Sequence, residues 1–330
     1  MNSFGRLFRV SMLGESHGPC VGILIDGCPA GIPLSEEDFL PDLNRRKSGR
    51  PGTTARKEED TPSVMSGLFH GTTTGAPMLI LFENKDVDSA PYEQVGKMNR
   101  PGQADFAARE KFGGFHDYRG GGVFSGRLTA GLVAAGVVAK KLIRPVTVGA
   151  VLRDAGGLVD IDRAVAAVAG EGDSLGGTIE CRADGLPAGL GEPFFDSAES
   201  LLSHLIFSIP GIKGIEFGAG FACAVMRGSA YNDRIISKTG ETETNNSGGI
   251  NGGVTNGNQL VFRAAVRPTA SISKTQRFMD METGAHHELS LPGRHDACFA
   301  LRIPVIVEAA AVVVIADLML LEQKVSRIQR

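Results

Sequence analysis

Forty-four of the 330 residues are glycine, about twice what ordinary usage of roughly 7% would give. Glycine weakens the interiors of helices and strands. A chain this rich in it must therefore use it between elements. The glycines gather in runs such as Gly120-Gly121-Gly122, Gly248-Gly249 and Gly252-Gly253, without the every-third-residue period of collagen. Such runs suit tight turns and loops whose backbone approaches a ligand closely. The fold must be one of short elements joined by glycine-rich loops.

The elements between the glycines are legible from their apolar pattern. Short apolar runs at 7–13, 21–26, 77–82, 146–152, 178–181, 215–225 and 260–266 read as strands. Ser35, followed by Glu36, Glu37 and Asp38, opens a helix with a capping-box pattern, Leu34 and Phe39 forming its staple. Pro41 predicts a kink or early stop there. Leu128, Leu132, Ala135, Val138 and Leu142 keep helical spacing after the triple glycine. Further helices are expected at 308–321 and, with weaker patterning, at 160–169 and 197–207. Strands and helices do not alternate as βαβ units, so the expected class is α+β, with mixed, largely antiparallel sheets.

Composition excludes several functions. Net charge is only −3, so no global attraction to nucleic acid or a membrane surface is implied. Glu308 and Asp317 interrupt the most apolar stretch, 303–321, which reads as a buried helix rather than a span. The first 14 residues lack the apolar core of a secretion signal. Cys20, Cys28, Cys181, Cys223 and Cys298 are odd in number and lack C-x-x-C spacing. Reduced buried thiols of a cytoplasmic protein, with no metal site, are the expectation.

Five segments carry candidate chemistry. Gly14-Glu15-Ser16-His17-Gly18 puts a histidine in a loop after a strand, where it can titrate near neutral pH. A basic run, Arg45-Arg46-Lys47-Ser48-Gly49-Arg50, continues to Arg56 and Lys57. It reads either as a solvated face or as guanidinium forks for carboxylate and phosphate. Arg119-Gly120-Gly121-Gly122-Val123-Phe124-Ser125-Gly126-Arg127 leads into a helix with Ser125 in a capping position, an anion site in the making. The spacing is not that of a P-loop. Next come Thr244 to Gly253 and Arg267-Pro268-Thr269-Ala270-Ser271-Ile272, whose amides and hydroxyls can bind a heterocycle. Gly293-Arg294-His295-Asp296-Ala297-Cys298 precedes the last helix. Together these segments suit a multiply charged anion and a planar cofactor, with few titratable groups. No Rossmann fingerprint is present.

In this order, GESHG at 14–18, RGGG at 119–122, SGR at 125–127, FGAGF at 217–221, TNNSGGINGG at 244–253, RPTASI at 267–272 and GRHDAC at 293–298 resemble the chorismate synthase family. The likeness runs from Gly5 to about Leu321. It implies one domain over 1–330 with a β-α-β sandwich-like fold, and a homotetramer. It implies a 1,4-anti elimination of phosphate from 5-enolpyruvylshikimate 3-phosphate to give chorismate, needing reduced FMN without net redox change. By the resemblance, Arg46, Arg50, Arg127 and Arg294 contact substrate. His17 and Asp296 manage protons, and Ser16 and Ser125 orient by hydrogen bonds. FMN lies against Val123, Phe124, Ser125, Asn246, Ser247, Gly252, Arg267, Pro268, Thr269, Ala270, Ser271 and Arg294.

Three positions depart from the family pattern. Gln103 stands where the family has its second catalytic histidine, and an amide cannot titrate near neutral pH. His116 on a nearby loop reads either as a residue that compensates or as an ordinary solvent-exposed loop histidine. Val123 stands in place of an arginine, and the loop holding Arg50 is one residue shorter than usual. A non-catalytic FMN- or anion-binding relative is thus the competing reading. A nucleic-acid binder using the basic run is a third, opposed by the acidic balance and few aromatics. No nicotinamide motif is visible, so NADPH is expected only as a source of reducing equivalents for an external reduction.

Overall fold

A computed structural model of the chain describes residues 2–54, 58–89, 99–281, 283–290 and 295–326. The strands of the described residues are β1 (Ser3–Phe4), β2 (Arg9–Gly14), β3 (Cys20–Asp26), β4 (Ser63–Val64), β5 (Leu68–Phe69), β6 (Thr72–Thr73), β7 (Met78–Glu83), β8 (Thr147–Ala155), β9 (Gly177–Asp184), β10 (Ile212–Phe217), β11 (Ile250–Asn251), β12 (Val254–Thr255), β13 (Leu260–Val266), β14 (Gln276–Met279) and β15 (His286–Leu289). One sheet runs β1-β2-β3-β7-β4 and a second β10-β13-β9-β8. Every pairing in both sheets is antiparallel. Between the sheets lie two long helices, Thr129–Leu142 and Pro304–Leu321, packed on each other. The first helix covers β3 and β7, the second β8 and β9. This is the expected sandwich, with two helices as its filling.

Sequence explains why these helices are inside. Pro304–Leu321 is buried on every side except at its ends, and Thr129–Leu142 nearly so. A helix apolar all round belongs in a core. Pro304–Leu321 is long and apolar enough to cross a membrane, yet here it is packed inside the protein. Small residues let the layers close. A Cβ on Gly131 would sit 2.7 Å from the Gly22 carbonyl oxygen of β3, and one on Gly136 would sit 2.5 Å from the Ala309 Cβ of the other helix. Glycine inside this helix is therefore a packing requirement, despite its helix penalty.

The remaining helices follow their signals. Ser35 donates its backbone N–H to Asp38 (2.8 Å), closing the expected box. A 3₁₀ turn over Glu36–Phe39 passes into α1 (Leu40–Arg46), with Pro41 in the first turn where a missing N–H is harmless. Asp105–Phe112 forms α2, which the apolar pattern did not suggest. The long helices are α3 (Thr129–Leu142) and α6 (Pro304–Leu321), with α4 (Ile161–Gly170) and α5 (Ala198–Phe207) between them.

Two expectations need correcting. The strand at 215–225 ends at Phe217, because Gly218 and Gly220 turn the chain at φ 54° and 57° into a 3₁₀ turn over Gly220–Val225. The expected polar loop at 237–257 carries the β11–β12 hairpin. All five cysteines are free; Cys28, Cys181 and Cys298 are buried as expected, whereas Cys223 is exposed.

Candidate functional site

The elements that fill the sandwich also open a cavity at one end of it. Its volume is about 890 Å³, at the upper end of the usual small-molecule range. Arg46 closes α1 there, while Ser125, Gly126, Arg127 and Thr129 line it at the entry to the helix Thr129–Leu142, and Ile303 and Ile306 at the start of Pro304–Leu321. Two long helices thus start at the cavity wall, and their N-terminal ends favour anions. Ser125 caps the 3₁₀ turn over Gly126–Leu128 that leads into the first of them, its Oγ accepting from the Arg127 N–H at 3.3 Å. The triple glycine before it holds φ values of 58°, 82° and 51°, the left-handed region open to glycine.

One cluster in the cavity wall is cationic and incompletely neutralised within itself. Asp60 has no exposed side-chain surface, and each of its carboxylate oxygens accepts from a different arginine, Arg46 and Arg127. Both arginines are themselves buried. Burial opposes the Asp60 charge, but the fields and hydrogen bonds of the two guanidiniums outweigh it and lower its pKa. Burial lowers the pKa of Arg46 too, ahead of the support it receives from Asp60. Two guanidiniums against one carboxylate leave a net positive charge. Asp296 adds a neutral pair: it accepts from the Thr54 N–H (2.9 Å) and from Arg302 (2.8 Å).

His17 sits beside this group. Its Nδ1 shares a 2.8 Å hydrogen bond with Ser89 Oγ. The glycine run is packed directly on it, since a Cβ on Gly120 would lie 2.3 Å from the His17 ring and 2.7 Å from Ser16 Oγ. Gly120 therefore cannot be replaced without moving the histidine. The Ser16 N–H donates to the Gly122 carbonyl at 3.2 Å. Two motifs a hundred residues apart in sequence are thus one structure.

A second wall comes from 267–271. Gln103 Nε2 donates to Ser271 Oγ at 3.1 Å, and both line the cavity with Thr269 and Ala270. Arg267 is half-buried and, among the described residues, finds only its neighbour's carbonyl, Pro268 O at 3.0 Å, as a side-chain acceptor. Desolvation lowers its pKa. The Thr269 hydroxyl is buried with no hydrogen-bond partner. Buried polar groups normally find partners, so this wall has a free cation and a free hydroxyl to offer. These residues fit a planar cofactor with a phosphate tail.

The structure brings together His17, Arg46, Gln103, Val123, Phe124, Ser125, Arg127, Arg267, Thr269, Ala270, Ser271 and Asp296. Ser16 is fully buried behind His17 rather than on the cavity surface. Arg50 and Pro268 are exposed and off the wall, Arg50 because its backbone is held in a turn by Thr53. Asn246, Ser247 and Gly252 do not line the cavity either. Their loop wraps Asp233, which accepts from the N–H groups of Asn246 (2.7 Å) and Ser247 (2.8 Å). Arg294, Gly293, Arg56 and Lys57 lie outside the described residues. His116, expected on an exposed loop, is half-buried on the cavity wall, with its Nδ1 buried and without a partner.

Sequence reasoning missed Asp60, Asn84 and Arg302. Asp60 was hidden as the last acid after the basic run, and Asn84 as one polar residue closing a strand. Only their partners reveal them.

A sequence model of the chorismate synthase family matches residues 8–320. The chain is 58% identical to the chorismate synthase of Chitinophaga pinensis, with 99% of each chain covered. It is 43% identical to that of Dehalococcoides mccartyi, with 97% of this chain and 96% of the relative covered. It is also similar to a solved structure, a crystal structure of chorismate synthase, with a TM-score of 0.75 and 26% identity over 97% of this chain and 93% of that one.

Proposed function

The chain belongs to the chorismate synthase family, and on that premise we propose how its cavity carries out the family reaction. The reaction is the 1,4-anti elimination of phosphate from 5-enolpyruvylshikimate 3-phosphate, which makes the chain a carbon–oxygen lyase. The observation that carries the reading is the shared Asp60. It fixes Arg46 and Arg127 side by side in a buried wall and leaves their combined charge uncompensated. A substrate with one phosphate and two carboxylates completes that charge. Guanidiniums suit such groups through paired donors, and a desolvated site strengthens each contact.

The residues then divide the work. Arg46 and Arg127 hold the substrate's anionic groups, and the starts of α3 and α6 add favourable dipoles as phosphate charge develops. His17 keeps Nδ1 occupied by Ser89, so its Nε2 is the second site at which a proton is held or passed. Asp296, oriented by Thr54 and Arg302, is the carboxylate acceptor. Ser16, Gln103 and Ser125 orient by hydrogen bonds. Arg267, Thr269, Ala270 and Ser271, with Val123 to Ser125, would hold FMN. Reduced FMN, when bound, supplies electron density to the reacting ring without net redox change. An external donor reduces it, with NADPH only a source of reducing equivalents.

The whole chain works as one domain on this reading, supported by a core that is continuous from Phe8 to Leu320. We place it in the cytoplasm as a homotetramer. Supporting assembly, Phe194, Phe195, Phe221 and Val225 are each more than four-fifths exposed, and apolar patches of that kind mark contact surfaces.

The test is anaerobic chorismate formation from 5-enolpyruvylshikimate 3-phosphate with chemically reduced FMN. The parent protein should turn over. A Gln103→His variant should stay within about tenfold of it, whereas a gain of about 10²-fold or more would mark position 103 as limiting. Binding of FMN and substrate by both proteins without product would favour the non-catalytic reading.

A further inference from the structure

Asn84 follows β7 and does not line the cavity. Its side chain is nevertheless fully engaged. Oδ1 accepts from Arg127 Nε at 2.9 Å. Nδ2 donates to the Glu15 carbonyl at 3.0 Å and to the Gly18 carbonyl at 2.8 Å. Its own N–H donates to the Pro19 carbonyl at 3.1 Å. These contacts fix the amide's orientation, because only nitrogen can serve two carbonyls and only oxygen can serve a guanidinium. Glu15 and Gly18 bracket Ser16 and His17. One amide therefore touches the arginine on one side and both ends of the histidine loop on the other.

Arg127 does not need Asn84 for its place. Asp60 takes its Nη1, and the Glu83 carbonyl takes its Nη2 at 3.2 Å. The histidine loop has its own ties, among them the 2.8 Å bond of His17 to Ser89, and the Asn84 amide spans it from Glu15 to Gly18. The Ser16 N–H bond to Gly122 and the Gly18 N–H bond to Glu15 (3.1 Å) are among its backbone anchors. Asn84 thus links the Arg127 guanidinium directly to both ends of the loop that carries His17. Resting on the role given above to His17, we propose that Asn84 is a positioning residue that sets the His17 loop in register with the Arg127 guanidinium. Substrate held by Arg127 then meets a histidine whose loop is braced on that guanidinium through the Asn84 amide.

The test is a double-mutant cycle on the FMN-loaded enzyme under anaerobic turnover, with substrate affinity also measured by calorimetry on the oxidised, non-turning-over form. Asn84→Ala should lower kcat by about 10²-fold, the usual effect of a misplaced reacting group. KM and calorimetric affinity should stay within about threefold, because Arg127 remains anchored. In a His17→Ala background the same change should lower kcat by no more than about threefold, since residues acting as a unit are not additive. Asn84→Asp keeps the shape but faces two carbonyls with a carboxylate, and should be as slow as Asn84→Ala. It serves in its place if the alanine variant does not fold. An equal loss in both backgrounds, or an Asn84→Asp enzyme as fast as the parent, would overturn the coupling. A His17→Ala enzyme as fast as the parent would instead sink the role given to His17, and the coupling with it.

Discussion

Arg45 and Arg46 are neighbours at the end of α1, yet they belong to different kinds of ionic cluster. Arg45 donates to Glu308 through two nitrogens at 2.9 Å and to Asp42 at 3.0 Å. Lys140 joins the same two carboxylates. Two cations meet two anions there, and the cluster is balanced. Arg46 instead shares the single carboxylate of Asp60 with Arg127, so that cluster is one negative charge short. Water access differs in the same sense. The Arg45 and Lys140 side chains are 44% and 28% exposed, whereas those of Arg46 and Arg127 are 7% and 4% exposed. A balanced cluster with wet cations fastens α1 and α3 to α6. A short, dry one waits for an anion. The difference teaches that these two arginine clusters are told apart by whether their charges cancel, not by the presence of buried charge alone.

The largest effect expected from this contrast is on Asp60. Asp60→Asn leaves two buried guanidiniums without a counter-charge, and breaking a buried pair from one side costs about 3–5 kcal/mol. Urea unfolding of the variant should show that loss. Added inorganic phosphate should raise its midpoint more than the parent's, because an anion then fills the role of the lost carboxylate. Equal midpoints for parent and variant would mean that Asp60 does not balance the arginines. Glu308→Gln should cost less, about 1–3 kcal/mol, the range for a charged hydrogen-bond partner lost. Its cations can turn toward water. Chorismate formation by this variant should keep the parent's kcat and KM. A fall in kcat would join the two clusters and erase the distinction drawn between them.

Much of this layout was legible in the sequence, and what was not has a physical reason. Apolar runs placed β3, β7, β8, β9 and β13, because each strand buries a side chain run against the helices. Ser125 and the triple glycine marked the start of α3 by capping chemistry that is local in sequence. Arg46 and Arg127 stood out as basic residues in glycine-rich settings. Asp60 did not, since its meaning lies in partners 14 and 67 residues away. Asn84 is the same case, with partners 43, 66 and 69 residues away. The segment 244–253 reads as a ligand wall in the sequence, and the structure adds what the sequence could not show: Asn246 and Ser247 donate to Asp233, and the Asn246 amide also donates to the Ala230 and Tyr231 carbonyls.

The smallest effect sharpens the comparison through pH. The two guanidiniums hold the folded Asp60 pKa below its ordinary value despite burial. A carboxylate depressed in the folded state stabilises the fold fully above its unfolded pKa, about 3.9. That contribution is lost as the pH falls from there through the lower folded value. Asn at position 60 has no proton to take up. The stability gap between the parent and Asp60→Asn should therefore be constant from neutral pH down to about 5, then narrow once the pH drops below about 4. Urea midpoints for the two proteins across that interval measure it. A gap that widened on acidification would require a folded Asp60 pKa above the unfolded one, and with it a carboxylate that the arginines do not hold ionised.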